Sequence, residues 1–265
     1  MKEEVLALAR NAPDPQTALN RMREYLQACT LRVLHDCEAF RPLAFVGGTA
    51  LRFLHGLPRY SEDLDFALEN KDAYDGEAWM RAIKRELQLA GFEVEVTWNQ
   101  KPVVHGGWIR VAGILWEAGL SPMKNQKLSI KVEIDTRPPA GAVLERKLVT
   151  RHLPFFLCHH DLPSLMAGKI HALLCRPYVK GRDWYDFVWY RSQRPPTTPN
   201  LTLLQNALLQ TEQDQDVQAE MWEGDIRQKI ENLNIEAVLR DLGPFLERPA
   251  DAKLLTRENL LGLIH

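Results

Sequence analysis

The stretch FVGGTALRFLHGLPRYSEDLDFAL, residues 45–68, decides the fold. Just ahead of it and into it, Leu43 to Val46 form a short apolar run that stops at Gly47-Gly48, which predicts a strand followed by a tight turn. Thr49 is placed to cap a short helix over Ala50 to His55. Asp63-Leu64-Asp65-Phe66-Ala67-Leu68 then alternates polar and large apolar residues, the pattern of a half-buried strand. Side chains two apart on a strand share a face, so Asp63 and Asp65 point one way while Leu64, Phe66 and Leu68 point into a core.

A second alternating segment lies downstream. Ser129-Ile130-Lys131-Val132-Glu133-Ile134-Asp135 predicts a strand whose Glu133 and Asp135 share the polar face, backed by Val132 and Ile134. Rows of acids on neighbouring strands repel unless a cation lies between them. Hard oxygen donors in that pattern suit Mg²⁺ or Mn²⁺, which keep water and substrate phosphates in their shell. Taken singly, each acidic pair reads as a solvated strand face. The double glycine lets a backbone approach a phosphate, and the helix after it offers free N–H groups to an anion; a plain turn is the competing explanation. The turn is no Walker loop, because no Gly-Lys-Ser/Thr follows, and it lacks GxGxxG spacing.

Working outward, the first 40 residues predict helix, with Asp14 as N-cap and Pro15 in the first helical position. Asp75 to Ala90 predicts an amphipathic helix ended by Gly91, and Phe92 to Trp98 and Ile109 to Trp116 predict further strands. Beyond Asp161 the strand signal disappears. Helices are expected over Asp161 to Cys175, Arg182 to Ser192, Leu201 to Glu212, Gln215 to Asn232, Ile235 to Asp241 and Arg257 to His265, with a Pro-rich loop or hinge at 194–199. The fold class is therefore α+β: a mixed sheet domain with flanking helices over residues 1–155, then an all-helical C-terminal domain over 156–265.

Composition narrows the function classes. The chain has 265 residues, 45% hydrophobic and 26% charged, enough for a core without disulfide staples. Thirty-three Lys and Arg against 35 Asp and Glu give a net charge of -2, so a nucleic-acid substrate would need a local basic surface. Cys29, Cys37, Cys158 and Cys175 form no CxxC pair. Acids at the start of the chain replace the basic region of a signal peptide, and no apolar stretch is long enough for a membrane span, so a cytoplasmic protein with no membrane partner is expected.

In the helical half, Leu162, Leu165, Met166, Ile170, Leu173 and Leu174 surround Lys169 on a helix that packs. Lys169 and Arg176, seven apart, share a face and form a candidate clamp for a triphosphate; a snorkelling surface lysine is the alternative. Asp183 and Asp186 lie three apart on the next helix, where Asp183 also suits the helix dipole and Arg182 could pair with Asp186. The histidines 152, 159, 160 and 171 have no partners at zinc spacing. Trp184, Tyr185, Trp189 and Tyr190 fit a core better than a base-stacking surface.

Together these motifs resemble a known family. Gly47-Gly48-Thr49, then thirteen residues, then Asp63-Leu64-Asp65 is similar to the signature of nucleotidyltransferases with the polymerase-beta-like fold. Within them the chain resembles the AbiEii/AbiGii toxin family, which includes the MenT toxins. The shared elements are Arg59-Tyr60-Ser61 before the acids, the strand Lys131 to Arg137, and a lysine helix followed by Arg182-Asp183 and Asp186. The resemblance implies a metal-dependent nucleotidyltransferase that moves NMP from an NTP to an acceptor hydroxyl. Asp63 and Asp65, with Glu133 or Asp135, would hold the metals; the family pattern carries Asn at the place of Asp135. Gly47, Gly48, Thr49, Arg59, Ser61 and Lys169 would bind the nucleotide, and Lys169 and Asp183 would join Asp63 and Asp65 in catalysis. In MenT relatives the acceptor is the tRNA 3′ end, and the analogue of Ser61 is a site of self-modification. A toxin–antitoxin or phage-defence pair with a cognate antitoxin is implied. A small-molecule or protein acceptor and a non-catalytic nucleic-acid binder are the alternatives. A phosphatase DxD is disfavoured, since Arg59 to Glu62 is polar where an apolar strand would lead into the nucleophile.

Overall fold

A computed structural model describes residues 1–211 and 218–264. Its seven strands are β1 (Leu43–Val46), β2 (Asp63–Leu68), β3 (Glu93–Gln100), β4 (Val104–Ala112), β5 (Leu128–Asp135), β6 (Leu144–Val149) and β7 (Phe155–His160). They form one sheet in the order β3-β4-β5-β2-β1-β7-β6. β2 lies antiparallel to β1 and parallel to β5, so the two acid-bearing strands are central neighbours. The helices are α1 (Lys2–Arg10), α2 (Pro15–Asp36), α3 (Gly47–His55), α4 (Gly76–Leu89), α5 (Ile114–Glu117), α6 (Leu162–Cys175), α7 (Gly181–Arg191), α8 (Leu201–Thr211), α9 (Trp222–Glu231), α10 (Ile235–Leu242) and α11 (Arg257–Leu261).

The chain forms two compact units. The first comprises Met1–His55, Tyr60–Arg137 and Arg146–His159; the second comprises Gly56–Arg59, Pro138–Glu145 and His160–His265. In the first unit, β5 buries Leu128, Ile130, Val132 and Ile134 and leaves the residues between them half-exposed, the alternation its sequence predicts. Leu64 and Phe66 of β2 join that buried layer. α2 begins where expected: Pro15 is its first residue and the Asp14 carboxylate accepts the Thr17 N–H at 2.8 Å. In the second unit, α6 starts on the Asp161 carboxylate, which accepts the Ser164 N–H at 2.9 Å.

Four expectations change. The helix after the glycine turn starts at Gly47, not Ala50, and Thr49 does not cap it. β4 starts five residues earlier than expected, and Trp116 lies on α5, because Gly113 at φ 72 breaks the strand. β6 and β7 were not foreseen. The helix expected from Gln215 is α9 after a 3₁₀ turn over Ala219–Met221. Parts of the helices expected to include Glu212, Gln215 and His265 lie outside the described residues. Among the described residues, no helix is long and apolar enough to cross a membrane.

Candidate active site

The first unit carries the acids on one sheet face. Register pairs Asp63 with Lys131, Asp65 with Glu133 and Ala67 with Asp135, so Glu133 is the direct neighbour of Asp65. Asp135 sits one step further along. Its carboxylate accepts the Arg137 N–H at 2.9 Å, and burial pushes its pKa up. The Lys131 ammonium lies 2.8 Å from Glu133 Oε1. That hydrogen bond first, with attraction from Glu133, Asp63 and Asp65, holds its pKa above the ordinary lysine value despite some desolvation. Among the described residues, no three His, Cys, Asp or Glu side chains are drawn together into a metal-binding group.

The glycine turn meets these acids from the β1 side. Val46 pairs with Asp65, and Gly47 takes φ +79, a conformation that only glycine adopts without strain. A Cβ on Gly47 would run into the Asp65 carboxylate and lie 3.1 Å from its Cβ and Cγ. The backbone thus approaches Asp65 as closely as it can. Gly48 and Thr49 are buried behind it. The Thr49 hydroxyl donates to the Asp63 carbonyl, so its side chain ties α3 to β2. The backbone of Ser61 is held by Gln27, whose amide donates to the Ser61 carbonyl at 3.2 Å and the Glu62 carbonyl at 2.9 Å.

The second unit holds the other candidates in a buried charge network. The Lys169 ammonium lies 2.7 Å from Asp183 Oδ1 and 2.9 Å from Asp186 Oδ2. Arg176 meets the other oxygen of Asp183. The spacing of Lys169 and Arg176 therefore did bring them together, on a carboxylate of the protein itself. Burial opposes the charge of Lys169, but Asp183 and Asp186 outweigh it and raise its pKa. Burial likewise opposes ionisation of Asp183, yet Lys169 and Arg176 bring its pKa down to about 2. Arg59 is 1% exposed, and its Nε and Nη2 donate to the two oxygens of Asp186 at 2.6 and 2.5 Å. Arg59, expected as a nucleotide ligand, is thus held in a buried bidentate ion pair. Asp186 is thus taken by Arg59 and Lys169, not by Arg182, whose guanidinium stacks 4.1 Å from the Phe245 ring. Trp184, Tyr185 and Tyr190 are buried, as their helical spacing suggested.

Sequence reasoning passed over Trp108. It falls just before the strand expected from Ile109, yet it stands 38% exposed on the acid-bearing face, paired with Lys131. Only the β4 register, fixed by distant strands, places it there.

A mixed sheet with two aspartates on one strand, a glutamate beside them and a glycine turn pressed against them is the framework of a nucleotidyltransferase. Solved structures share the fold. One is a proposed nucleotidyltransferase from H. pylori, with a TM-score of 0.52 and 17% identity over 91% of this chain and 89% of that one. Another is JHP933 from Helicobacter pylori, with a TM-score of 0.53 and 18% identity over 91% of this chain and 88% of that one. No curated protein matches the sequence. The family pattern of the AbiEii nucleotidyl transferase toxins of type IV toxin–antitoxin systems matches residues 31–257, and the chain belongs to that family. It is a nucleotidyltransferase, and the family implies an NTP substrate and an antitoxin partner.

Proposed function

We propose that the protein is a divalent-metal-dependent toxin that transfers NMP from an NTP to the 3′ end of tRNA in the cytoplasm. The observation that carries the metal requirement is the register that sets Glu133 beside Asp65, with Asp63 two residues away on the same strand face. The Lys131 ammonium, bonded to Glu133 and attracted by Asp63 and Asp65, marks that face as one that draws cations. The donors are all hard carboxylate oxygens, which fits Mg²⁺ or Mn²⁺. Asp63, Asp65 and Glu133 would hold the ions; the register favours Glu133 over Asp135 as the third ligand. When bound, the metal neutralises phosphate charge and lowers the pKa of the acceptor hydroxyl.

The Gly47-Gly48 turn would offer backbone N–H groups to the phosphates, with no side chain between them and Asp65. The turn positions the Asp65 carboxylate by close packing. Lys169 is kept cationic by Asp183 and Asp186, and its assignment to triphosphate binding rests on the family resemblance alone. Asp183 holds that ammonium and Arg176 in position. The tRNA acceptor rests on the resemblance to MenT toxins.

Incubation with radiolabelled NTP, total tRNA and Mg²⁺ tests this. Label should appear on the RNA 3′ end and vanish with EDTA. Asp63→Asn should lower transfer roughly 10²–10³-fold or more, because charge stabilisation at the transferring phosphate is lost. Full transfer by Asp63→Asn, or transfer insensitive to EDTA, would refute the metal site; label on a protein or small molecule alone would refute the acceptor.

A further inference from the structure

An in-line displacement puts the attacking hydroxyl and the departing pyrophosphate on opposite sides of the α-phosphorus. The glycine turn stands on the β1 side of Asp65. If the leaving phosphates lie there, the acceptor arrives from the opposite side, across β5 and toward β4. On that side the same sheet face carries Gly106 beside Glu133, Trp108 beside Lys131 and Arg110 beside Ser129. Gly106 leaves the floor next to Glu133 open: a Cβ there would meet nothing nearer than the Val132 carbonyl at 3.8 Å. A recess of about 280 Å³ has Arg23, Glu62, Asp63, Trp108, Lys127 and Ser129 among its lining residues, with Arg23 paired to Glu62. It joins a catalytic acid directly to an indole that is 38% exposed.

The indole is flanked by cations. The Arg110 guanidinium lies 5.3 Å from its ring and the Lys131 ammonium 6.0 Å. Arg110 also reaches the Thr97 hydroxyl at 3.4 Å, and Lys127 bonds Glu95 at 2.6 Å on the same flank. A π-face bordered by cations is the combination that binds a single-stranded nucleic acid: the ring takes a base and the cations take backbone phosphates. We propose that Trp108 is the stacking platform for the 3′-terminal nucleoside of a polynucleotide acceptor, with Arg110 and Lys127 meeting its phosphates. The inference rests on the metal site proposed above and deepens it by locating the acceptor.

The test uses the full chain and a short RNA hairpin with a single-stranded 3′ overhang. Binding is read by fluorescence anisotropy in the Asp63→Asn background, where turnover does not intervene, and KM for RNA and for NTP is read in the active protein. Trp108→Leu should weaken RNA binding and raise the RNA KM roughly five- to a hundred-fold, the range expected from loss of one stacked base. The NTP KM should stay unchanged, and Trp108→Phe should recover part of the loss. An RNA whose last nucleotide is abasic should bind wild type no better than Trp108→Leu. Unchanged RNA affinity in Trp108→Leu overturns the proposal. So does a raised NTP KM with unchanged RNA KM, which would give Trp108 to the incoming nucleotide, and so does failure of wild type to bind the RNA. If Trp108→Leu does not fold, Trp108→Phe and Arg110→Gln carry the same comparison. Transfer lost in Asp63→Asn alongside normal RNA affinity in Trp108→Leu would leave the metal site standing and remove only this platform.

Discussion

At Gly47 a single missing methyl group connects conformation to chemistry. The residue needs both a positive φ and space for the Asp65 carboxylate, and alanine satisfies neither. In Gly47→Ala the Cβ must turn the carboxylate aside, because the backbone of β1 is fixed by its pairing with β2. The expected result is a loss of about 1–2 kcal/mol in urea-unfolding stability, with nucleotidyl transfer falling much further than that loss would explain. Circular dichroism should show a native fold, and wild-type transfer rates in the variant would show that the turn does not position Asp65. The third acid belongs to the same scale. Glu133 and Asp135 are indistinguishable in sequence, since both point to the polar face. Only pairing with a strand more than sixty residues earlier puts Glu133 opposite Asp65.

Elements meet most closely where side chains are absent. Gly181, the first residue of α7, lies against α10, and a Cβ there would collide with the Val238 carbonyl and stand 3.1 Å from its Cα. Backbone cannot rotate away as a side chain can, so Gly181→Ala should force α7 and α10 apart and cost roughly 2–3 kcal/mol. A lowered urea midpoint and faster amide exchange in α10 would register it; an unchanged midpoint would show that the two helices can slide without penalty. How much was legible in the sequence follows the same logic of contact. β2 and β5 were readable because one face of each packs into the core, which imposes alternation along all of β5 and over Asp63 to Phe66 of β2. α2 announced itself through Asp14 at its N-cap, and Asp75 and Asp161, where two further helices were expected to begin, are the N-caps of α4 and α6. β6 was not readable: Leu144 to Leu148 are exposed on an edge strand, where no core demands an apolar pattern. The start of β4 was hidden by His105-Gly106-Gly107, which reads as a turn. Gly107 is nonetheless required in the strand, because a side chain there would strike Met80, Trp98 and the Thr97 carbonyl. The ion pair of Arg59 with Asp186 spans 127 residues of sequence and leaves no local signature.

Across the whole molecule, each compact unit is pinned by a buried carboxylate that must stay charged. In the first, Glu24 is 5% exposed and accepts from Arg52, from Arg151 at 3.0 Å and from His152 at 2.8 Å. Burial opposes its ionisation, but His152, Arg52 and Arg151 prevail and bring its pKa from 4.5 to about 2. In the second, Asp183 falls from 3.8 to about 2 under Lys169 and Arg176. A carboxylate with a depressed folded pKa contributes stability that is fully present above its unfolded pKa and disappears as pH falls through the folded one. Both contributions should therefore hold at pH 5 and above and drain away between about pH 4.5 and pH 2, each on the order of 2–3 kcal/mol. Urea unfolding measured from pH 7 to pH 2.5 checks this. Glu24→Gln and Asp183→Asn should each be less stable than wild type at pH 7, and the gap should close as the pH drops, because the amide resembles the protonated acid that wild type becomes. A gap that stays constant across the range would mean that these carboxylates hold their units by shape and hydrogen bonding, with their charge contributing nothing.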